Sequence, residues 1–176
     1  MRTESAGTRP CRESEGVPQL LNSPPKIGGQ GIEKPNMDKS PKRLTLYVDG
    51  ASRGNPGPAA IGVVIKDEKG ATALRMSSSI GRATNNQAEY SALITALEEA
   101  KRLGAEHVDI RTDSQLMAEH IQGNYKVRNA HIRPLFEEVK RLLAAFKSYG
   151  IDHIPRERNG EADSLANEAL NKLKKS

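Results

Sequence analysis

Residues 44–58 read Leu44-Thr45-Leu46-Tyr47-Val48-Asp49-Gly50-Ala51-Ser52-Arg53-Gly54-Asn55-Pro56-Gly57-Pro58. The stretch Leu44–Asp49 alternates and is rich in β-forming residues, so it predicts a strand. Gly50, Gly54, Asn55, Pro56, Gly57 and Pro58 then predict a turn, because they combine free and fixed φ angles with poor ladder donors. Two further strands are expected at Ile61–Ile65 and Thr72–Ile80, separated by a turn at Lys66–Gly70. Three strands this close in sequence form an antiparallel meander.

Downstream the apolar period lengthens. Ala88, Ala92, Leu93, Ala96, Leu97, Ala100 and Leu103 share one helical stripe, which Thr84 or Asn85 caps and Gly104 ends. A fourth strand is expected at Val108–Thr112 and a short helix at Ser114–Ile121. A second amphipathic helix is expected over Ile132–Phe146, with Leu135, Val139, Leu142, Leu143 and Phe146 inward. A last strand follows at Ile151–Ile154. The final helix places Ala162, Leu165, Ala166, Ala169, Leu170 and Leu173 on one face, with Asn159 as its cap. The order βββαβααβα predicts an α/β fold: a five-stranded mixed sheet with helices on both faces.

Residues 1–43 differ in kind. They hold six of the ten prolines and none of the six aromatic residues, and they lack a sustained apolar period. Such a segment buries too little apolar surface to offset the entropy of ordering it, so a disordered N-terminal extension over 1–43 is expected, followed by one domain over 44–173. Met37 stands just before that domain and is a candidate true start. The single Cys11 lies in the extension, which excludes an internal disulfide and suits a reducing, cytoplasmic compartment. No apolar run is long enough to span a membrane, and a monomer is expected.

Charge narrows the partners. Residues 44–176 carry 19 Lys/Arg against 17 Asp/Glu. With four of those acids reserved for cations, the remainder is a basic surface around a small acidic pocket, which suits a polyanion. Asp49 ends the first strand and Asp113 follows the fourth. Were those strands parallel neighbours, both acids would project at one sheet edge, where ligands of open α/β sheets collect. Glu89 and Asp163 lie early in two helices and could converge on the same point. Any one of these acids alone is equally a turn residue or a complement to a helix dipole. Four together would repel without cations among them, and an all-oxygen set suits Mg²⁺ or Mn²⁺. Two such ions can activate a water and steady the leaving oxygen of a phosphodiester.

The residues flanking these acids carry a family resemblance. Asp49-Gly50-Ala51-Ser52-Arg53-Gly54-Asn55-Pro56-Gly57-Pro58, Thr84-Asn85-Asn86-Gln87-Ala88-Glu89, Thr112-Asp113-Ser114-Gln115 and Asn159-Gly160-Glu161-Ala162-Asp163-Ser164-Leu165-Ala166 resemble, in order and spacing, the four motifs of the type-1 ribonuclease H family. The resemblance covers nearly all of residues 44–173. It implies a ribonuclease H-like fold and a metal-dependent endoribonuclease that hydrolyses the RNA strand of RNA–DNA hybrids, leaving a 5′-phosphate and a 3′-hydroxyl. It implies Asp49, Glu89, Asp113 and Asp163 as ligands of two Mg²⁺ ions, with Asp49 on both, Glu89 and Asp113 on one and Asp163 on the other. Ser52, Asn55, Asn85, Asn86 and Gln115 match contacts in the hybrid minor groove, where short polar side chains meet 2′-hydroxyls. Thr84 matches a contact to a DNA-strand phosphate, and with Gln87 it also reads as a capping box.

The pattern departs from the family's in two places. The loop before the last acid, Pro155-Arg156-Glu157-Arg158-Asn159-Gly160, has no histidine. His153, just upstream, reads as a structural histidine within the last strand. The resemblance then falls to an arginine-loop subgroup, in which Arg156 handles phosphate or product, although a solvated loop arginine reads equally well. The segment Gly123–Pro134 supplies only Lys126, Arg128 and Arg133 where some members insert a basic helix. Two alternatives stand beside hybrid cleavage: a broader nuclease that also takes double-stranded RNA as a partner, and a non-catalytic hybrid-binding module.

Overall fold

The computed structural model describes residues 42–175, so the expectations for the N-terminal extension, Met37 and Cys11 fall outside the described residues. Strand β1 (Arg43–Ser52) starts one residue before the expected domain edge and runs three beyond Asp49. The sequence placed the turn at Gly50. Instead Gly50 and Ala51 stay in the ladder, opposite Ile61 and Ala60 of β2 (Gly57–Lys66). Tertiary pairing overrides weak strand propensity here, and the turn contracts to residues 53–56. Strand β3 (Thr72–Ala83) completes the antiparallel meander.

Helix α1 (Asn85–Arg102) begins at a complete capping box. The Gln87 N–H donates to Thr84 Oγ1 at 3.2 Å, and the Thr84 N–H donates to Gln87 Oε1 at 2.8 Å. Strand β4 (His107–Thr112) lies parallel to β1, with Val48 opposite Thr112. Helix α2 (Gln115–Gln122) is capped by Ser114 and ends at Gly123 in the left-handed region, φ 82°. Helix α3 (Arg133–Leu143) is shorter than expected, because Ala144–Phe146 leave the helix while Phe146 stays buried. Strand β5 (Ser148–His153) pairs parallel to β4 and closes the sheet order β3-β2-β1-β4-β5. A 3₁₀ turn at Arg156–Asn159 leads into α4 (Gly160–Lys174).

Helices cover both faces, as expected. Leu44, Leu46, Val48, Ile61, Val63 and Ile65 pack with Leu93, Leu97, Met117 and Val139 of α1, α2 and α3. Ala60 points the other way, toward Ala169 and Leu170 of α4. Two glycines fix how near the helices come. A Cβ on Gly50 would lie 2.2 Å from Ala88 C and Glu89 N, and one on Gly62 would lie 2.0 Å from Ala162 O. Gly62 is the register partner of Asp49. Both faces are therefore pinched at the strand residue that carries the first acid, and each pinch delivers a helix that carries another.

Candidate active site

Four elements deliver the four acids to one place. Asp49 sits within β1, and Asp113 follows the end of its parallel neighbour β4, so the two leave the sheet at the same edge. The Ser114 N–H donates to Thr112 Oγ1 at 3.0 Å and turns the chain directly after Asp113. The Gly50 pinch brings Glu89 in from α1. Carboxylate oxygens of Asp49, Glu89 and Asp113 lie within 4.8 Å of one another. Asp163, on the first turns of α4, stands outside that triad but lines the same cavity of about 480 Å³. The cavity wall also includes Gly50, Asn85, His153, Arg156 and Asn167.

The electrostatics are those of a site that needs positive charge. Burial, the charges of Asp113 and Asp163 and a hydrogen bond with Asp113 push the Asp49 carboxyl up to about 8, against an opposing pull from Arg156. Burial, then Asp49 and Asp113, raise Glu89 well above the usual carboxylate range, although the Gly50 N–H and Arg156 lower it. Glu89 Oε2 is buried and has no hydrogen-bond partner among the described residues. An orphaned carboxylate oxygen beside two more acids has an unmet demand that a hard divalent cation fits.

The remaining residues singled out in the sequence divide into two groups. Asn85 lines the cavity, and its backbone N–H donates to Asn55 Oδ1 at 3.1 Å, so these two are brought together. Ser52 Oγ donates to the Gly54 carbonyl at 2.7 Å, and the Thr84 side chain is committed to its cap. Asn86 and Gln115 are exposed. Ser52, Asn55, Thr84, Asn86 and Gln115 all lie outside the cavity wall. Arg156 Nη2 is 2.9 Å from Asp163 Oδ1, so the arginine is paired with the fourth acid.

One sequence reading needs correction and another needs extension. Asn159 is no side-chain cap of α4. It is buried, and its Nδ2 donates to the Val48 carbonyl at 2.8 Å, pinning the start of α4 to β1 beside Asp49. His153 lies in the last strand as expected, and the structure adds a position at the site. It ends β5 opposite Thr112, is exposed, lines the carboxylate cavity and donates from Nε2 to the Asp113 carbonyl at 3.2 Å. The signal was available, because the parallel-strand rule that marks Asp113 applies equally to the end of β5. Asn167, missed entirely, stands one helical turn beyond Asp163 on α4.

A family model described as "Reverse transcriptase-like" matches residues 47–169. The chain is 46% identical over 128 residues to the protein named Ribonuclease HI from Halobacterium salinarum, covering 73% of this chain and 64% of that protein. The crystal structure of RNase H1 from that archaeon superposes with a TM-score of 0.72 at 45% identity, over 74% of this chain and 98% of the crystallised one. LC11-RNase H1, solved in complex with an RNA/DNA hybrid, gives 0.71 at 44% identity, over 74% and 98%. A bifunctional protein of Mycobacterium tuberculosis is 40% identical over 129 residues, and there the match spans only 35% of the relative's length.

Proposed function

The chain belongs to the ribonuclease H family, and we propose that it is an endoribonuclease that hydrolyses the RNA strand of RNA–DNA hybrids with divalent cations, Mg²⁺ or Mn²⁺, in the carboxylate cavity. One observation carries this reading. Three carboxylates from three separate elements meet within 4.8 Å, with one oxygen buried and unpartnered among the described residues, and a fourth acid lines the same cavity. Acids crowd in this way at a cost in folding free energy, so the arrangement implies a cation rather than a structural role.

Asp49, Glu89 and Asp113 would hold one cation and Asp163, with Asp49, a second. Bound divalent cations supply Lewis-acid stabilisation of the phosphodiester and lower the pKa of an attacking water. The protein's own part is to hold these carboxylates oriented and together in one cavity, and bound cations would favour their ionised forms. Asn85, Asn86 and Gln115 present amides around the helix starts beside the cavity, and amides suit the 2′-hydroxyls of a shallow minor groove. Asn55 sets the Asn85 loop, and Thr84 leaves its helix N-terminus available to a phosphate. Arg156 brings a fixed charge to the rim and would meet a strand phosphate there. A monomer in a reducing, cytoplasmic compartment completes the reading, supported by the single cysteine and by a site built within one chain.

The test is cleavage of a labelled RNA–DNA hybrid beside matched RNA–RNA and DNA–DNA duplexes, in Mg²⁺ and in EDTA, with Asp49→Asn as control. Mg²⁺-dependent cutting of hybrid RNA is expected, lost in the variant. The loss should reach about three orders of magnitude, since cation-based stabilisation of the transition state is worth several kcal/mol. Retained cutting by Asp49→Asn would overturn the cation mechanism. Hybrid binding without cutting would make the chain a binding module.

A further inference from the structure

Asn167 occupies a position that its local structure does not require. It lies four residues after Asp163 on α4, so the two side chains share one helix face, and it lines the cavity with all four acids. Its Nδ2 donates to the Asp163 backbone carbonyl at 2.9 Å. That carbonyl is an interior helix acceptor, already served by the backbone N–H one turn later. The side-chain bond therefore adds to a satisfied group. What the bond does is orient the amide: one N–H is given to the helix backbone, and Oδ1 accepts no hydrogen bond among the described residues.

The two sides of the cavity are unequally furnished. Asp49, Glu89 and Asp113 crowd one side within 4.8 Å, whereas Asp163 stands apart and shares its carboxylate with Arg156. A divalent cation on the Asp163 side is short of oxygen donors. Another carboxylate there would add to the repulsion already present, while an amide carbonyl supplies a hard oxygen at no cost in charge. Building on the reading above, we propose that Asn167 is a fifth oxygen donor of the site, its Oδ1 holding the divalent cation that Asp163 also holds.

The test needs no turnover. Mn²⁺ and Mg²⁺ binding to the nucleic-acid-free full chain is measured by calorimetry for the wild type, Asn167→Ala and Asn167→Asp, with melting in EDTA for each. Asn167→Ala should weaken cation binding about tenfold, the lower end of what altering groups around a bound metal costs. Asn167→Asp should recover most of that affinity, because it restores an oxygen at the same reach. Wild-type affinity in Asn167→Ala would overturn the proposal, as would a lowered melting temperature in EDTA with cation affinity unchanged, which marks a purely structural role. Weakened hybrid binding in EDTA with cation affinity intact would also overturn it. A wild-type chain that binds no cation would instead overturn the cation reading itself.

Discussion

Arg156 and Asp163, both lining the carboxylate cavity, form an ion pair with Nη2 2.9 Å from Oδ1 and the arginine side chain still 73% exposed. The arginine thus occupies the one acid that the buried triad leaves out, and it opposes the upward pull on Asp49 and Glu89 as well. A cation that takes Asp163 must open this pair. Exposed pairs are worth about 0.2–1 kcal/mol, so Arg156→Ala should lower the half-saturating Mg²⁺ concentration about two- to fivefold. If Arg156 meets a strand phosphate as proposed, the same variant should also raise KM for the hybrid. Steady-state cleavage across Mg²⁺ and hybrid concentrations separates the two effects. Two unchanged constants would return Arg156 to the status of a solvated loop residue.

The raised Asp49 carboxyl makes stability depend on pH in an unusual direction. Its ordinary value of 3.8 moves to about 8 in the folded chain, so folding favours the protonated form. That contribution is complete below the unfolded value and is lost as pH rises through the folded one. Glu89 is shifted in the same sense. In EDTA the melting temperature should fall between pH 5 and pH 9, with Asp49→Asn flattening the slope. On the proposed reading Mg²⁺ should restore stability at the alkaline end, since a bound cation would favour the ionised cluster. A melting temperature that climbs with pH in EDTA would show that the acids are not crowded in solution as they are here.

Much of this was legible in the sequence because period and punctuation agreed. Leu44 to Asp49 alternate, the α1 stripe is unbroken, and Thr84 with Gln87 spells its own cap. The four acids were legible as a set through their flanking motifs. What was not legible depends on tertiary pairing. Gly50 reads as a turn residue until the ladder with Ile61 holds it extended. Asn159 looks like a helix cap to any local rule, and only the approach of β1 offers it the Val48 carbonyl. His153 reads only as a structural strand residue until the end of β5 is placed beside Asp113. Asn167 falls one residue past the fourth motif, and only its i+4 spacing from Asp163 marks it.

Asn159 gives the cleanest stability experiment. Its Nδ2 satisfies the buried Val48 carbonyl, and Asn159 itself is almost fully enclosed. Asn159→Ala leaves that carbonyl without its partner, which costs about 1–3 kcal/mol. Asn159→Asp should be no better, because a carboxylate cannot donate to a carbonyl and is itself costly to bury. Urea denaturation measures both. Cleavage should fall as well, since the start of α4 that carries Asp163 is no longer fixed to the strand that carries Asp49. Wild-type stability in the alanine variant would mean that the contact is absent in solution.

Gly50 and Gly62 make opposite faces of the sheet separately testable. Alanine at either position meets backbone rather than a movable side chain, at 2.2 Å from Ala88 C and Glu89 N on one face and 2.0 Å from Ala162 O on the other. Overpacking of this kind commonly costs 1–3 kcal/mol, and backbone contacts this short put both variants at about 3 kcal/mol or more. The functional consequences should differ. Gly50→Ala pushes α1 and Glu89 away from Asp49 and Asp113, so it should weaken cation binding at the buried triad. Gly62→Ala pushes α4 outward and should mainly disturb the side of Asp163 and Asn167. Denaturation combined with Mn²⁺ titration of whatever folded fraction survives reads both effects. A Gly50→Ala protein with unaltered stability and cation affinity would show that the close approach of α1 is not what assembles the site.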